Sequence, residues 1–241
     1  MASKSKIVYV CNECGYETSK WMGKCPSCNS WSTWVEDVRV PQKTAAKTVG
    51  ASGLNTVSAK TLSQIDSSAE ERHVIGIREL DRVLGGGIVK GSVTLLSGDP
   101  GIGKSTILLQ MCKALQGKME VLYVSGEESA NQIKMRAERI GVSGGNVKIM
   151  TSTDTMSICE YIASIRPDIV MIDSIQTMTI NEISSSPGSI VQVRECTNMF
   201  LRTGKSLEIP VFIVGHVNKG GDIAGPKVME HIVDTVLYFE G

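Results

Sequence analysis

The stretch Gly98-Asp99-Pro100-Gly101-Ile102-Gly103-Lys104-Ser105 fits the spacing G-x-x-x-x-G-K-[ST] of a phosphate-binding loop. Glycines let the backbone turn tightly enough for successive N–H groups to face phosphate oxygens, and a helix starting near Lys104 aims its positive end at the same anion. Lys104 is expected to reach the β- and γ-phosphates, and the Ser105 hydroxyl to ligate magnesium. The expected nucleotide-binding set is Gly98, Asp99, Pro100, Gly101, Ile102, Gly103, Lys104, Ser105 and Thr106, with ATP and magnesium as cofactors. The apolar run Val93 to Ser97 before the loop and the helical run Thr106 to Leu115 after it set it apart from an ordinary glycine-rich turn.

Asp173 closes the apolar run Ile169-Val-Met-Ile-Asp173. Beside a phosphate loop, an aspartate in that position supports the magnesium, although a strand-ending aspartate also serves as a helix cap. Hydrolysis further requires a group that orients or deprotonates water. Glu127 is the expected catalytic carboxylate. The alternative for Glu127-Glu128 is that the pair adds negative charge to the first turn of a helix beginning near Ser129. His216 ends another strand at the same edge of the sheet, where it acts either as a γ-phosphate sensor or as a structural histidine.

A second group of reactive side chains lies at the start of the chain. Cys11-x₂-Cys14 and Cys25-x₂-Cys28 are separated by ten residues, which supplies four soft ligands for one tetrahedral zinc. With all four positions filled by cysteine, the metal is expected to be structural and to supply the folding energy of a segment too short for its own core. Trp21, Trp31 and Trp34 surround the motif together with Lys20 and Lys24. They either form a small core or present a surface to unpaired bases or to a protein.

These groups sit in a chain of 241 residues with 25 basic and 25 acidic side chains. Zero net charge requires any nucleic-acid contact to come from a local basic surface. No apolar run approaches the length of about 20 residues that crosses a bilayer, and the start Met-Ala-Ser-Lys-Ser-Lys lacks a secretory apolar segment. A cytoplasmic location without membrane contact is therefore expected. Cys112, Cys159 and Cys196 fall in apolar patterns and read as small buried hydrophobes.

Three regions follow: a zinc-binding module over 1–36, a linker over 37–65 rich in Ala, Ser, Thr and Lys, and an α/β domain over 66–241. Strands are expected at Ser92 to Ser97, Glu120 to Ser125, Val147 to Met150, Asp168 to Asp173, Pro210 to Gly215 and Asp234 to Phe239. Their near-continuous apolar character suits a sheet covered on both faces. Helices are expected near Ser129 to Ile140, Thr155 to Ile165 and Ser189 to Leu207, so right-handed crossovers and a mainly parallel sheet follow.

Several motifs together resemble one family. They are the four-cysteine motif, Leu84-Gly-Gly-Gly87, the phosphate loop through Thr106, Ser125-Gly-Glu-Glu-Ser129, Met171-Ile-Asp-Ser-Ile-Gln-Thr177 and Ile223 to Gly241. Across essentially the whole chain, the sequence resembles the RadA (Sms) family of bacterial DNA-repair proteins. The resemblance implies a RecA-like P-loop ATPase core that processes branched recombination intermediates by branch migration in a helicase-like way. It also implies a homohexameric ring, single-stranded or branched DNA as substrate, and the RecA recombinase as partner. By position, Lys104 and Ser105 then hold the triphosphate and magnesium, Asp173 supports the metal, and Glu127 activates water. The DNA-facing loops would be Met178 to Gly188, with the small and polar residues of a mobile loop, and Asn218 to Lys227, where Lys219 and Lys227 contact phosphates. Either lysine is equally readable as a solvated loop charge.

The sequence stops at Gly241, whereas family members continue into a Lys-Asn-Arg-Phe-Gly motif and a domain resembling the Lon protease. Nucleotide binding is expected here, with efficient turnover depending on those further residues. The alternative expectation is an ATP-gated adaptor that binds DNA or protein without productive hydrolysis.

Overall fold

The structure is a computed structural model, and it describes residues 6–11, 16–27, 29–39, 61, 72–216 and 227–240. The amino-terminal part carries three short strands, β1 (Lys6–Cys11), β2 (Glu17–Thr18) and β3 (Trp34–Arg39), in the order β2-β1-β3. β1 pairs antiparallel with all of β3, from Lys6 opposite Arg39 to Cys11 opposite Trp34. β3 thus runs past residue 37, where the linker was expected to begin. The remainder of that linker, apart from residue 61, lies outside the described residues.

The α/β part opens with α1 (Arg78–Val83) and continues through β4 (Val93–Gly98), α2 (Lys104–Ala114), β5 (Val121–Ser125), α3 (Ala130–Ile140) and β6 (Val147–Thr151). After these come α4 (Thr155–Ile165), β7 (Ile169–Asp173), a 3-10 turn (Ile175–Thr177), α5 (Ile190–Leu207), β8 (Val211–His216), α6 (Lys227–Glu230) and β9 (Thr235–Phe239). Six strands form one sheet in the order β6-β5-β7-β8-β4-β9, and every pairing is parallel. This is the expected α/β architecture. Strands and helices fall within a residue or two of their expected limits because long apolar runs and end signals agree.

Alternation explains how the sheet is covered on both sides. Val93, Leu95, Leu122, Val124, Val170, Ile172, Val211 and Ile213 pack with α4 and α5 through Ile158, Ile162, Val193 and Phe200. Leu96, Tyr123, Met171, Phe212 and Val214 face the other way, toward Leu108, Leu109 and Met111 of α2 and Ile133 of α3. The apolar burial of such residues drives the fold, at roughly 1.5–3 kcal/mol per large side chain.

The strand order has a direct consequence for the site. β8 lies between β4 and β7, so the carboxyl ends of three adjacent strands bring Gly98, His216 and Asp173 to one edge. Parallel α/β sheets bind ligands at this edge, since the loops leaving the strands there diverge to helices on opposite faces. Among the described residues, no helix is long and apolar enough to cross a membrane.

Candidate nucleotide site

The loop between β4 and α2 has the backbone that its glycines permit. Gly101 and Gly103 have φ of 79° and 111°, the left-handed region that L side chains rarely adopt. Gly103 caps α2 with no side-chain acceptor, and the first turn of the helix holds no acidic residue. The amide groups of that turn are left for an external anion. A Cβ at Gly101 would meet nothing within 4 Å, so the loop has open space over it. The residues present therefore fit a polyphosphate.

Lys104 is only 3% exposed. Its Nζ donates to the carbonyls of Gly98 and Asp99, each at 2.8 Å. Burial holds its pKa below the usual lysine value, against the opposing charges of Asp173, Asp99 and Glu127. Gly98 is tightly enclosed: a Cβ there would lie 2.6 Å from the Phe239 carbonyl of β9. Ser105 and Thr106 line the cleft beside Lys104, together with Pro100, Gly101 and Gly103.

Asp173, 8% exposed at the end of β7, accepts a hydrogen bond at 2.5 Å from the Tyr123 hydroxyl. Tyr123 is itself buried, and burial, with the nearby Asp173 carboxylate, raises its pKa well above the ordinary tyrosine value. Ser125 stands opposite Asp173 in the β5–β7 register, which delivers the next residues of the chain over the end of β7. Gly126 makes this possible, because a Cβ there would sit 2.1 Å from Thr177 Oγ1.

Glu127 follows directly. Its Oε1 accepts from Ser174 Oγ at 2.6 Å, and His216 Nε2 lies 3.6 Å away. The 3.6 Å separation is longer than a hydrogen bond, so His216 acts on Glu127 through proximity and polarity, and Ser174 makes the direct bond. His216 first, then the Ser174 hydroxyl and the Lys104 charge, hold the Glu127 carboxyl down to about 2, against the contrary effect of burial. Glu128 behaves differently. It forms an ion pair with Arg136 of α3, and its backbone N–H donates to Ser125 Oγ at 3.0 Å. Neither glutamate enters the first turn of α3, which Ser129 caps reciprocally with Gln132.

Lys104, Ser105, Glu127 and His216 share one open cleft of about 590 Å³ with Glu128, Arg136 and Gln176. Tyr123, Ser174, Gln176 and Arg136 were not assigned roles from sequence. Ser174 and Gln176 lie inside the Met171 to Thr177 motif, so the signal for them was present. Nothing in an apolar strand marks Tyr123.

The two expected DNA loops fare unequally. Met178 to Gly188 has the composition of a mobile loop, yet the buried Gln192 of α5 clamps it. Its Oε1 accepts from the Ile180 N–H at 2.9 Å, and its Nε2 donates to the carbonyls of Ile183 and Ser185 at 3.1 and 3.0 Å. Lys219 lies outside the described residues, and Lys227 begins α6.

In the amino-terminal part, Cys11 and Cys25 are fully buried, while Cys14 and Cys28 lie outside the described residues. The Cys11 N–H donates to Tyr16 O, and Cys25 N–H to Ser30 O, each at 2.9 Å. Each bond ties the cysteine to the residue five positions on, and buried thiols held in this way fit a zinc ion. The tryptophans divide. Trp34 packs edge-on against Tyr16 with centroids 6.4 Å apart, whereas Trp21 and Trp31 are 62% and 70% exposed. Lys24 Nζ lies 5.9 Å from the Trp31 ring centroid. Cys112 and Cys196 are buried thiols pushed up to about 12 and about 11 by desolvation, which leaves them unreactive packing residues.

A parallel sheet with a glycine loop, a buried lysine and an acidic strand end at its carboxyl edge defines a P-loop nucleotide-binding domain. Residues 59–222 match the family model described as an AAA domain, and the chain belongs to that family. Residues 9–36 match the model described as a rubredoxin metal binding domain. Zinc, and ATP with magnesium, are the cofactors that these two domains imply. The chain is 48% identical over 240 residues to the DNA repair protein RadA of Halalkalibacterium halodurans, covering 99% of this chain and 52% of that protein. It is 47% identical to the DNA repair protein RadA of Bacillus subtilis, covering 99% and 53%, and 48% identical to that of Chlamydia pneumoniae, covering 100% and 52%. The chain therefore spans about half the length of the curated relatives it matches.

Proposed function

We propose that this chain is the ATP-hydrolysing motor part of a protein acting in DNA recombination and repair. The observation that carries the reading is the convergence of Lys104, Asp173, Glu127 and His216 at the ends of neighbouring strands. RadA relatives named as DNA repair proteins support its placement in repair. Branch migration on single-stranded or branched DNA, in a ring of like subunits and beside the RecA recombinase, is the finer form of this proposal.

In this mechanism the loop amides and the α2 terminus hold the phosphates, and Lys104 exchanges its two carbonyl acceptors for phosphate oxygens. Ser105 and Asp173 would hold magnesium, which when bound would supply neutralising charge beside the phosphate oxygens. Glu127 stays ionised at neutral pH and orients the attacking water once it leaves the Ser174 hydroxyl. A carboxylate with a pKa near 2 is a weak base, so orientation is its main contribution. His216 lines the cleft and directly precedes in sequence the segment bearing Lys219 and Lys227, a connection that couples phosphate to DNA. Exposed Trp21 and Trp31, with Lys24, add a stacking surface for unpaired bases.

The test is ATP turnover with and without single-stranded DNA, for this chain and for a family-length protein. DNA should raise turnover in the longer protein, and Lys104→Ala should abolish it in both. Turnover that ignores DNA and survives Lys104→Ala would falsify the proposal. One observation favours a second reading, an ATP-gated adaptor: Glu127 is engaged by Ser174 rather than free over the loop. Glu127→Gln separates the two, since it traps nucleotide and DNA in a motor and leaves an adaptor's binding cycle unchanged.

A further inference from the structure

Beneath the nucleotide cleft, the Tyr123 hydroxyl donates to Asp173 Oδ2 at 2.5 Å. Tyr123 is 1% exposed and packs among Leu109, Met111, Met171 and Phe212. With its ring fixed by this packing and only two side-chain torsions, its hydroxyl has one position. The register sets the reach. Ser125 is opposite Asp173, so Tyr123 lies on the same face two residues back, diagonal to the aspartate. A phenylalanine would fill the same apolar space, so packing does not account for the hydroxyl. A buried tyrosine hydroxyl needs an acceptor, and here the acceptor is the carboxylate at the end of β7. Among the described residues, no hydrogen bond reaches the other oxygen, Oδ1.

We infer that Tyr123 is a positioning residue for magnesium: by occupying Oδ2 it fixes the plane of the Asp173 carboxylate and leaves Oδ1 for the water shell of the ion. This rests on the reading of Asp173 as the magnesium-supporting carboxylate. Groups that orient a metal-supporting carboxylate commonly change metal affinity by about 10-fold to 100-fold when removed. The contact thus tunes how much magnesium the loaded site requires, without touching the nucleotide.

Fluorescent ATP binding is measured on the whole chain, in a magnesium titration and again in EDTA, for wild type, Tyr123→Phe and Asp173→Asn. Tyr123→Phe should bind nucleotide in EDTA as wild type does, melt as a folded protein, and need roughly 10-fold more magnesium to reach its metal-dependent affinity. An unmoved magnesium midpoint in Tyr123→Phe, while Asp173→Asn shifts it, overturns the inference and leaves the Asp173 reading standing. If Asp173→Asn also leaves the midpoint unmoved, that reading fails and the inference falls with it. An equal loss of affinity with and without magnesium, or an unfolded variant, would assign the hydroxyl a purely structural role and overturn the proposal as well.

Discussion

Glu127 shows how neighbouring side chains set the chemistry of a residue that its type alone leaves open. Its pKa is depressed to about 2 from an ordinary glutamate value of 4.5. A depressed folded-state pKa stabilises the fold above the unfolded value, and this contribution is lost as pH falls toward the folded one. Wild type and Glu127→Gln should therefore differ most in melting temperature at neutral pH. The difference should shrink as pH falls from about 4.5 to about 2. Thermal melts across that range check this, and a difference independent of pH would show that Ser174 and His216 do not hold the charge. Glu127 and Asp173 were both legible in sequence as acids beyond apolar strands. Ser174, which holds Glu127, stood inside the Met171 to Thr177 motif, but that motif does not say which side chain the serine hydroxyl meets.

Gly126 and Gln192 place whole segments around the site. A methyl group at Gly126 would collide with Thr177, whose hydroxyl donates to the Ser174 carbonyl at 2.8 Å. Gly126→Ala should cost about 1–3 kcal/mol, the usual penalty of overpacking. It should also lower turnover more than nucleotide affinity, since it displaces Glu127 and Ser174 but not the loop. Urea melts and single-turnover kinetics measure the two effects. Gln192→Leu removes the four hydrogen bonds to Ile180, Ile183 and Ser185 while keeping an apolar-sized side chain in α5. Limited proteolysis should then cut within 178–188, and wild type should resist. The helix itself was legible from periodicity, but a buried glutamine among its apolar positions says only that a partner exists, not which segment supplies it.

For the molecule as a whole, the amino-terminal part should hold one zinc per chain, measurable by metal analysis. Chelation should expose the buried Cys11 and Cys25 to thiol reagents, because the metal supplies folding energy that the short strands lack. DNA affinity should fall with added salt, as lysine contacts to phosphate require. A flat salt response would remove Lys219 and Lys227 from the DNA surface. The α/β class, the phosphate loop, Lys104, Asp173 and the strand limits followed from local pattern: apolar runs, glycine spacing and capping residues act over a few neighbours. The order β6-β5-β7-β8-β4-β9 did not follow from pattern. Neither did the meeting of Glu127 with Ser174 and His216, the Tyr123 bond to Asp173, or the clamp of Gln192 on its loop. Those depend on which strands pair and in what register, and register is settled by packing between residues far apart in the chain, where no local signal reaches.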